Sequence, residues 1–180
     1  LSANDPAGVT VAAGGSNSQT FIITVAGGVT TQANVNIDAD VVNAVEEYSG
    51  RLISVSSGTP LIVDIYAQAT LSITSIVDLT ASSPYVGGET FNIQVNYDNT
   101  AGGVDVTGVD ATIDFGGATG LSASNPAAIT VSAGTTDSQT FTITVAGGVA
   151  TQLAVDINAD VVNAVAQYSG RLISVSSATP

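Results

Sequence analysis

The feature that most constrains this chain is an internal repeat with a period of 120 residues. Residues 1–60 align without gaps to residues 121–180, and 43 of the 60 aligned positions are identical. Residues 61–120 have no second copy. The sequence therefore holds one front half of a repeat, residues 61–120, and two back halves. If a front half and a back half complete each other, one back half is left with open sheet edges, which folded proteins avoid.

Apolar and polar residues alternate with a period of two, which is typical of strands with one buried and one wet face. The run FNIQVNYD at residues 91–98 is the clearest example, and Gly, Asn, Ser and Pro cluster between such runs. Residues 39–47 are expected to be extended rather than helical. Strands are predicted near residues 70–80, 89–98, 104–115, 127–132, 138–146, 149–162 and 170–176.

Seven short strands at this spacing predict an all-β fold of immunoglobulin-like antiparallel β-sandwich repeats in tandem. The predicted domains are residues 1–68, the C-terminal half of a repeat plus a joint, and residues 69–180, a complete repeat. The joint around residues 67–70 is too short to behave as a flexible coil. Two explanations for the spare half stay open. It belongs to a longer tandem array, which we favour, or another chain completes it.

The composition excludes several classes of function. Fifteen acidic residues against two cations give a net charge of −13, which repels nucleic acid and anionic membranes. The chain has no Cys and no His, so disulfides, thiolate metal sites and a Ser-His-Asp triad are excluded. The chain contains no run of 18 apolar residues, so the sequence predicts no membrane span. The dominance of small residues suggests an abundant exported protein, extracellular or on the cell surface.

Calcium is the only cofactor that the sequence suggests, because hard cations prefer several oxygen ligands. Asp38 and Asp40 lie on one strand face, with the Glu46-Glu47 pair nearby. A second candidate set lies in loops of the predicted complete repeat. We favour the alternative that strand carboxylates face water and loop residues make turns. The calcium candidates are Asp38 and Asp40 in the strand set and Asp98 and Asp105 in the loop set. Asn99 and Asp110 also belong to the loop set.

The sequence gives less support to two further kinds of site. Glu46-Glu47 with Asp38 and Asp40 could form the carboxylate pair of a glycosidase, but aromatic residues to stack sugars are few, and we predict no enzyme. The tyrosines could form a glycan-binding platform. Two of them recur at one repeat position beside a Gly-Arg pair, where we favour a structural corner with Arg held by a carboxylate or carbonyl. These tyrosines are Tyr48, Tyr66, Tyr85, Tyr97 and Tyr168.

Residues 70–115 carry a recognisable succession of motifs. An entry strand at residues 71–76 precedes Ser83-Pro84, the segment GETFNIQV at 88–95, YDNTAGG at 97–103 and a strand at 109–115. This succession resembles the CARDB-like and related bacterial and archaeal immunoglobulin-like repeats of large cell-surface proteins. The resemblance implies an extracellular sandwich used as spacer, stalk, fibre or adhesion module, without a catalytic residue. The chain departs from the pattern at Gly87, and it lacks the Lys that isopeptide cross-links require.

The sequence thus predicts a structural role in an extracellular filament, stalk or surface coat. The expected partners are identical repeats or chains, and strand or half-domain complementation at residues 1–60 is the expected mode of assembly. The alternative is an adhesion module that binds carbohydrate or another cell surface.

Overall fold

The computed structural model describes residues 1–81 and 83–177. The described residues form β-strands and no helix, and every strand pair is antiparallel. The predicted all-β, antiparallel class is confirmed. The backbone divides into two compact units, Leu1–Tyr66 and Ala67–Pro180, called unit 1 and unit 2 below.

Unit 1 contains three sheets of two strands each, formed by β1 with β2, β3 with β6, and β4 with β5. Isolated two-stranded sheets are marginally stable in water, because one hairpin buries little apolar surface. Ile65 is the only buried residue of unit 1. The strands are β1 (Ser2–Ala3), β2 (Ile23–Thr24), β3 (Gln32–Ile37), β4 (Asp40–Val45), β5 (Leu52–Ser56) and β6 (Leu61–Ile65).

Unit 2 contains two larger sheets that share one hydrophobic core. One sheet has the order β11-β13-β8-β7, and the other has the order β10-β14-β9-β12 with β15 paired to β14. Val95, Tyr97, Phe141 and Ile143 of the first sheet and Val161 of the second lie in this core. The strands are β7 (Ser72–Asp78), β8 (Thr90–Asp98), β9 (Val106–Val109), β10 (Ala111–Asp114), β11 (Leu121–Ala123), β12 (Ile129–Val131), β13 (Thr136–Val145), β14 (Asn158–Ala166) and β15 (Leu172–Ser176).

The longest ladder joins β8 to β13, from Thr90 opposite Thr144 to Asp98 opposite Thr136. Apart from Gln139, its buried positions are the apolar members of the period-two pattern, which is why the sequence predicts these two strands well. The single strand predicted for residues 104–115 is wrong in its continuity. It breaks between Val109 and Ala111 into β9 and β10, and β9 contains Gly108 at a φ of 67°.

Two other sequence-based expectations need correction. The strand predicted for residues 149–162 begins only at Asn158, and residues 149–157 are not in a strand. The short strand β11 was not predicted, because Leu121–Ala123 is too brief to show alternation. By contrast, β4 confirms that residues 40–45 are extended.

Candidate assembly surface

Unit 1 exposes large apolar side chains whose sequence twins in unit 2 are buried. Phe21 is 46 % exposed, whereas its twin Phe141 is 1 % exposed. Val41 is 51 % exposed, whereas its twin Val161 is fully buried. Single exposed apolar residues are normal in a monomer, but each of these residues has a twin in the core of unit 2. We call the exposed set the bare face: Val11, Phe21, Ile23, Val25 and Val41.

The front half of the repeat covers the twin residues in unit 2. Along β13, Phe141 lies opposite Ile93 of β8 and Ile143 lies opposite Phe91. Along β14, Val161 lies opposite Ala111 of β10. Because the twins have the same side chains, their burial depends on the strands that the front half supplies. Unit 1 has no such strands of its own.

The back half nevertheless keeps its local structure without the front half. The β4–β5 hairpin has the register of β14–β15, with Val41 opposite Val55 as Val161 is opposite Val175. Both hairpins contain a bulge with a left-handed Asn, at a φ of 57° for Asn43 and 61° for its twin. The β4–β5 hairpin, which contains Val41 of the bare face, therefore has its shape without strands of the front half.

Other segments of unit 1 lose their strand structure. Residues 9–11 and 16–22 are not strands, although their twins belong to β12 and β13. In unit 2, β12 pairs with β9 and the first part of β13 pairs with β8, and both partners belong to the front half. The two copies thus differ at the segments that need front-half partners.

A polar network shows the same half-complete arrangement. In unit 2 the buried Gln139 amide donates to the Ala127 carbonyl at 2.9 Å. Its oxygen accepts the Tyr97 hydroxyl at 2.6 Å and the Ala111 amide at 3.2 Å. In unit 1 the twin Gln19 makes the first bond, to the Ala7 carbonyl at 2.7 Å. The two donors that complete the network in unit 2, Tyr97 and Ala111, both come from the front half.

Each arginine contacts a carbonyl or a carboxylate, as predicted. Arg171 donates through Nη2 to the Ala69 carbonyl at 3.1 Å and so ties the β14–β15 hairpin to the start of unit 2. The twin Arg51 lies 3.5 Å from the Glu46 carboxylate within its own hairpin. An exposed ion pair of this kind contributes about 0–1 kcal/mol.

Asn99 holds the loop after β8, and sequence analysis missed this role. The side chain is fully buried. Its Oδ1 accepts the Thr70 amide at 3.0 Å, and its Nδ2 donates to the Val104 carbonyl at 3.0 Å. Gly102 is required nearby, because a Cβ there would lie 1.9 Å from Asn99 Oδ1. The only sequence signal is the pattern Asn-x-x-Gly-Gly, which also occurs in ordinary turns.

Three of the four calcium candidates accept hydrogen bonds from separate local partners. Asp98 accepts the Thr100 amide at 2.6 Å, and Asp105 accepts the Ala133 amide at 2.8 Å. Asp38 accepts the Ser57 hydroxyl at 3.3 Å, and Asp40 lies in β4 opposite Ser56. Within residues 1–81 and 83–177, no three acidic side chains come together as a cation site. Calcium binding stays a prediction.

The pKa values of Tyr97, Asp78 and Asp98 depart from their ordinary values. Burial raises the pKa of Tyr97 above its ordinary value, and the Asp110 carboxylate adds to this effect. Burial acts to raise the pKa of Asp78, but hydrogen bonds from Tyr85 and two backbone amides outweigh it, so that pKa is lowered. Hydrogen bonds from Thr100 lower the pKa of Asp98. These shifts follow from the packing and turns already described.

The tyrosines do not share one role. Tyr97 is buried, and Tyr85 stacks on Phe91 with ring centroids 4.0 Å apart. Tyr48 and Tyr168, in contrast, are strongly exposed at the tips of the twin hairpins. Two members of the predicted glycan platform are therefore part of the fold. Glu46 of the predicted carboxylate pair accepts a short hydrogen bond from Ser49 and pairs with Arg51.

The chain matches no model of a known protein family, and no curated protein matches it significantly. In the described part of the chain, no helix is long and apolar enough to cross a bilayer. Among the described residues, the bare face and the half-complete polar network are the features of unit 1 that differ most from their twins in unit 2.

Proposed function

We propose that this chain is a structural segment of an extracellular filament, stalk or surface coat built from tandem immunoglobulin-like sandwiches. Two antiparallel sheets over one core, as in unit 2, are the arrangement expected of such a sandwich. Unit 1 is then the back half of a second sandwich. Its role is mechanical and not catalytic.

The observation that carries this proposal is the residue-by-residue match between the bare face and the core of unit 2. Covering a Val, Ile or Phe side chain stabilises by about 1.5–3 kcal/mol. The five residues of the bare face therefore represent a large driving force for completion. A front half with the sequence of residues 67–120 fits this face, because the same sequence already covers the twin face.

The charge of the chain and the asymmetry of the bare face support the proposed partners. A net charge of −13 favours solubility and disfavours contact with nucleic acid or anionic lipid. Association through the bare face is with copies of the same repeat. Because a front half and a back half are different surfaces, such joints are head-to-tail and propagate in one direction.

A longer chain tests the proposed sandwich. A second copy of residues 67–120 placed before Leu1 should cover the bare face. We expect the amides of Phe21 and Ile23 to become as protected from hydrogen exchange as those of Phe141 and Ile143. If these amides exchange as fast as in the 180-residue chain, the proposal is wrong.

A pair of variants in that longer chain gives the matched control. Phe21→Ala should destabilise it by about 3–5 kcal/mol, the cost of a large buried side chain. Leu52→Asn should be close to neutral, because Leu52 and its twin Leu172 are 63 % and 62 % exposed. Equal effects of the two substitutions would contradict the proposed mode of covering.

Imaging of the native material tests the biological role. Cryo-electron microscopy should show a continuous filament with one bead per 120 residues, each about 33 Å long or somewhat more. The intact mass of the same sample separates a covalent array from completion by a second chain. Isolated particles that do not assemble would overturn the filament proposal and favour a displayed binding module.

A further inference from the structure

The last strand of unit 1 pairs with a segment whose twin in unit 2 has no strand partner. In unit 1, β6 lies antiparallel to β3, with Leu61 opposite Ile37 and Val63 opposite Val35. The twin of β3 is residues 152–157, which are not in a strand. Among the described residues, no backbone hydrogen bond joins 152–157 to another strand.

Residues 152–157 keep the backbone shape of the paired segment. Asn34, at the irregularity of β3, has a φ of 56°, and its twin Ala154 has a φ of 53°. A left-handed Ala is uncommon, because its Cβ is crowded in that region. The segment therefore has the left-handed residue of the β3 bulge although it is paired with no described strand.

The side chains of this segment are also placed as in β3. Val155 and Ile157 are half-buried, as their twins Val35 and Ile37 are. Ile157 packs against the core of unit 2. Leu153, the twin of Ala33, is 88 % exposed and extends the apolar surface. The segment therefore offers open backbone groups beside a partly apolar surface.

We propose that residues 152–157 are a strand-binding site for a second copy of the segment Leu61–Ile65. The added strand lies antiparallel in the register of unit 1, with its Val63 opposite Val155 and its Leu61 opposite Ile157. The proposal deepens the proposed function, on which it rests for the source of the second copy, a neighbouring repeat. Strand addition of this kind obtains affinity from backbone hydrogen bonds and specificity from alternate side chains.

One polar contact gives the site a preference for Asp at the fourth position. In unit 1 the Asp64 carboxylate accepts the Asn34 amide at 2.9 Å, at the bulge. The amide of Ala154 is at the same position of the twin segment. A strand with the pattern Leu-Ile-Val-Asp-Ile satisfies this amide as well as the ladder, which an arbitrary apolar strand does not.

The occupant is identified by the pairing in unit 1. Leu61–Ile65 is the segment that pairs with this back-half sequence, and residues 57–60 connect it to β5. Residues 177–180 are the sequence twins of residues 57–60. A second copy of residues 61–66 appended after Pro180 therefore follows a link of the same length as in unit 1.

Cysteine cross-linking in such an extended chain tests both the site and its register. The protein has no Cys, so engineered pairs are the only thiols. Directly opposite residues have Cα atoms about 4.5–5.5 Å apart, within the range of a disulfide. Val155→Cys with Val63→Cys in the appended copy should cross-link at least about tenfold more than Val155→Cys with Ile62→Cys, because a one-residue shift reverses the facing side.

The matched positive control is Val35→Cys with Val63→Cys in the 180-residue chain, a pair that already lies opposite. A Val155 and Val63 yield no higher than that of the Ile62 control overturns the inference. A second readout uses no cysteine. The amides of Val155 and Ile157 should exchange at least about tenfold more slowly with the appended segment than with a scrambled one.

The failure of this inference is distinguishable from failure of the proposed function. The function test monitors the bare face of unit 1 after a front half is added. The strand test monitors residues 152–157 of unit 2 after a single strand is added. If the front half protects Phe21 but the appended strand does not cross-link, the strand site alone is wrong.

Discussion

Phe21 and Phe141 occupy the same position of the repeat in opposite environments. Phe141 lies in the core opposite Ile93, and Phe21 is exposed on a face without that partner. Each residue of the bare face thus has a buried twin in the same chain, against which the contribution of burial to stability can be measured. Such twins separate the effect of a side chain from the effect of its neighbours.

The first prediction compares these two positions in the 180-residue chain. Phe141→Ala should lower the free energy of unfolding of unit 2 by about 3–5 kcal/mol, because it leaves a cavity in a packed core. Phe21→Ala should change stability by less than about 0.5 kcal/mol, as surface substitutions do. Urea unfolding followed by circular dichroism measures both, and a large effect of Phe21→Ala would mean that unit 1 is already covered.

The second prediction concerns the glutamine network. Gln139→Leu leaves the Tyr97 hydroxyl and the Ala111 amide without their acceptor in a buried site. We expect a loss of about 2 kcal/mol or more, since each unsatisfied group costs about 1–3 kcal/mol. Gln19→Leu is the matched control and should be near neutral by the same denaturant measurement. Equal losses at both positions would contradict the half-complete arrangement.

The third prediction is a pH dependence that arises at Tyr97. Its pKa is raised in the folded protein, so folding favours the protonated phenol. The stability that this provides is fully present below the ordinary tyrosine pKa of about 10 and is lost as the pH rises above it. Denaturation midpoints between pH 8 and 11 should therefore fall, and Tyr97→Phe should flatten the decline. An unchanged slope in that variant would assign the effect to other groups.

At the scale of elements, the loop between β8 and β9 is held by the Asn99 side chain, which lies directly against Gly102, and not by strand pairing. The fourth prediction is that Gly102→Ala destabilises unit 2 by about 2 kcal/mol or more. The new Cβ would meet Asn99 Oδ1 and displace the amide that bonds Thr70 and Val104. Gly147→Ala is the control, because a Cβ there meets nothing within 4 Å. Thermal unfolding of the two variants compares them.

The same elements show what the sequence predicts and what it does not. Alternation predicts β8 and β13 nearly to their ends, because one face is buried along all of β8 and along β13 from Gln139 to Val145. Alternation fails at residues 149–157, where the apolar pattern of a strand is present but no partner strand is. The repeat predicted that residues 1–60 need a partner. It could not predict the Gln139–Tyr97 bond, because two common polar residues 42 positions apart carry no pairing signal.

At the scale of the whole molecule, stability is unevenly distributed. Unit 2 has a core drawn from two sheets, whereas unit 1 buries a single residue, Ile65. The fifth prediction is that hydrogen exchange divides the 180-residue chain in the same way. Amides of β8 and β13 should be protected up to the global unfolding free energy, and those of β4 and β5 should exchange with little protection. Equal protection of the twin hairpins would contradict this.

Because the chain has only two cationic residues, limited trypsin digestion can compare its two units directly. Trypsin cleaves after Arg and Lys, and the only such residues here are Arg51 and Arg171. Arg171 is tied to the Ala69 carbonyl of a packed unit, whereas Arg51 lies on a hairpin that has no core beneath it. Proteolysis of a locally open segment follows its open population. The ratio of cleavage at Arg51 to cleavage at Arg171 therefore reports, without any label, whether a front half covers unit 1.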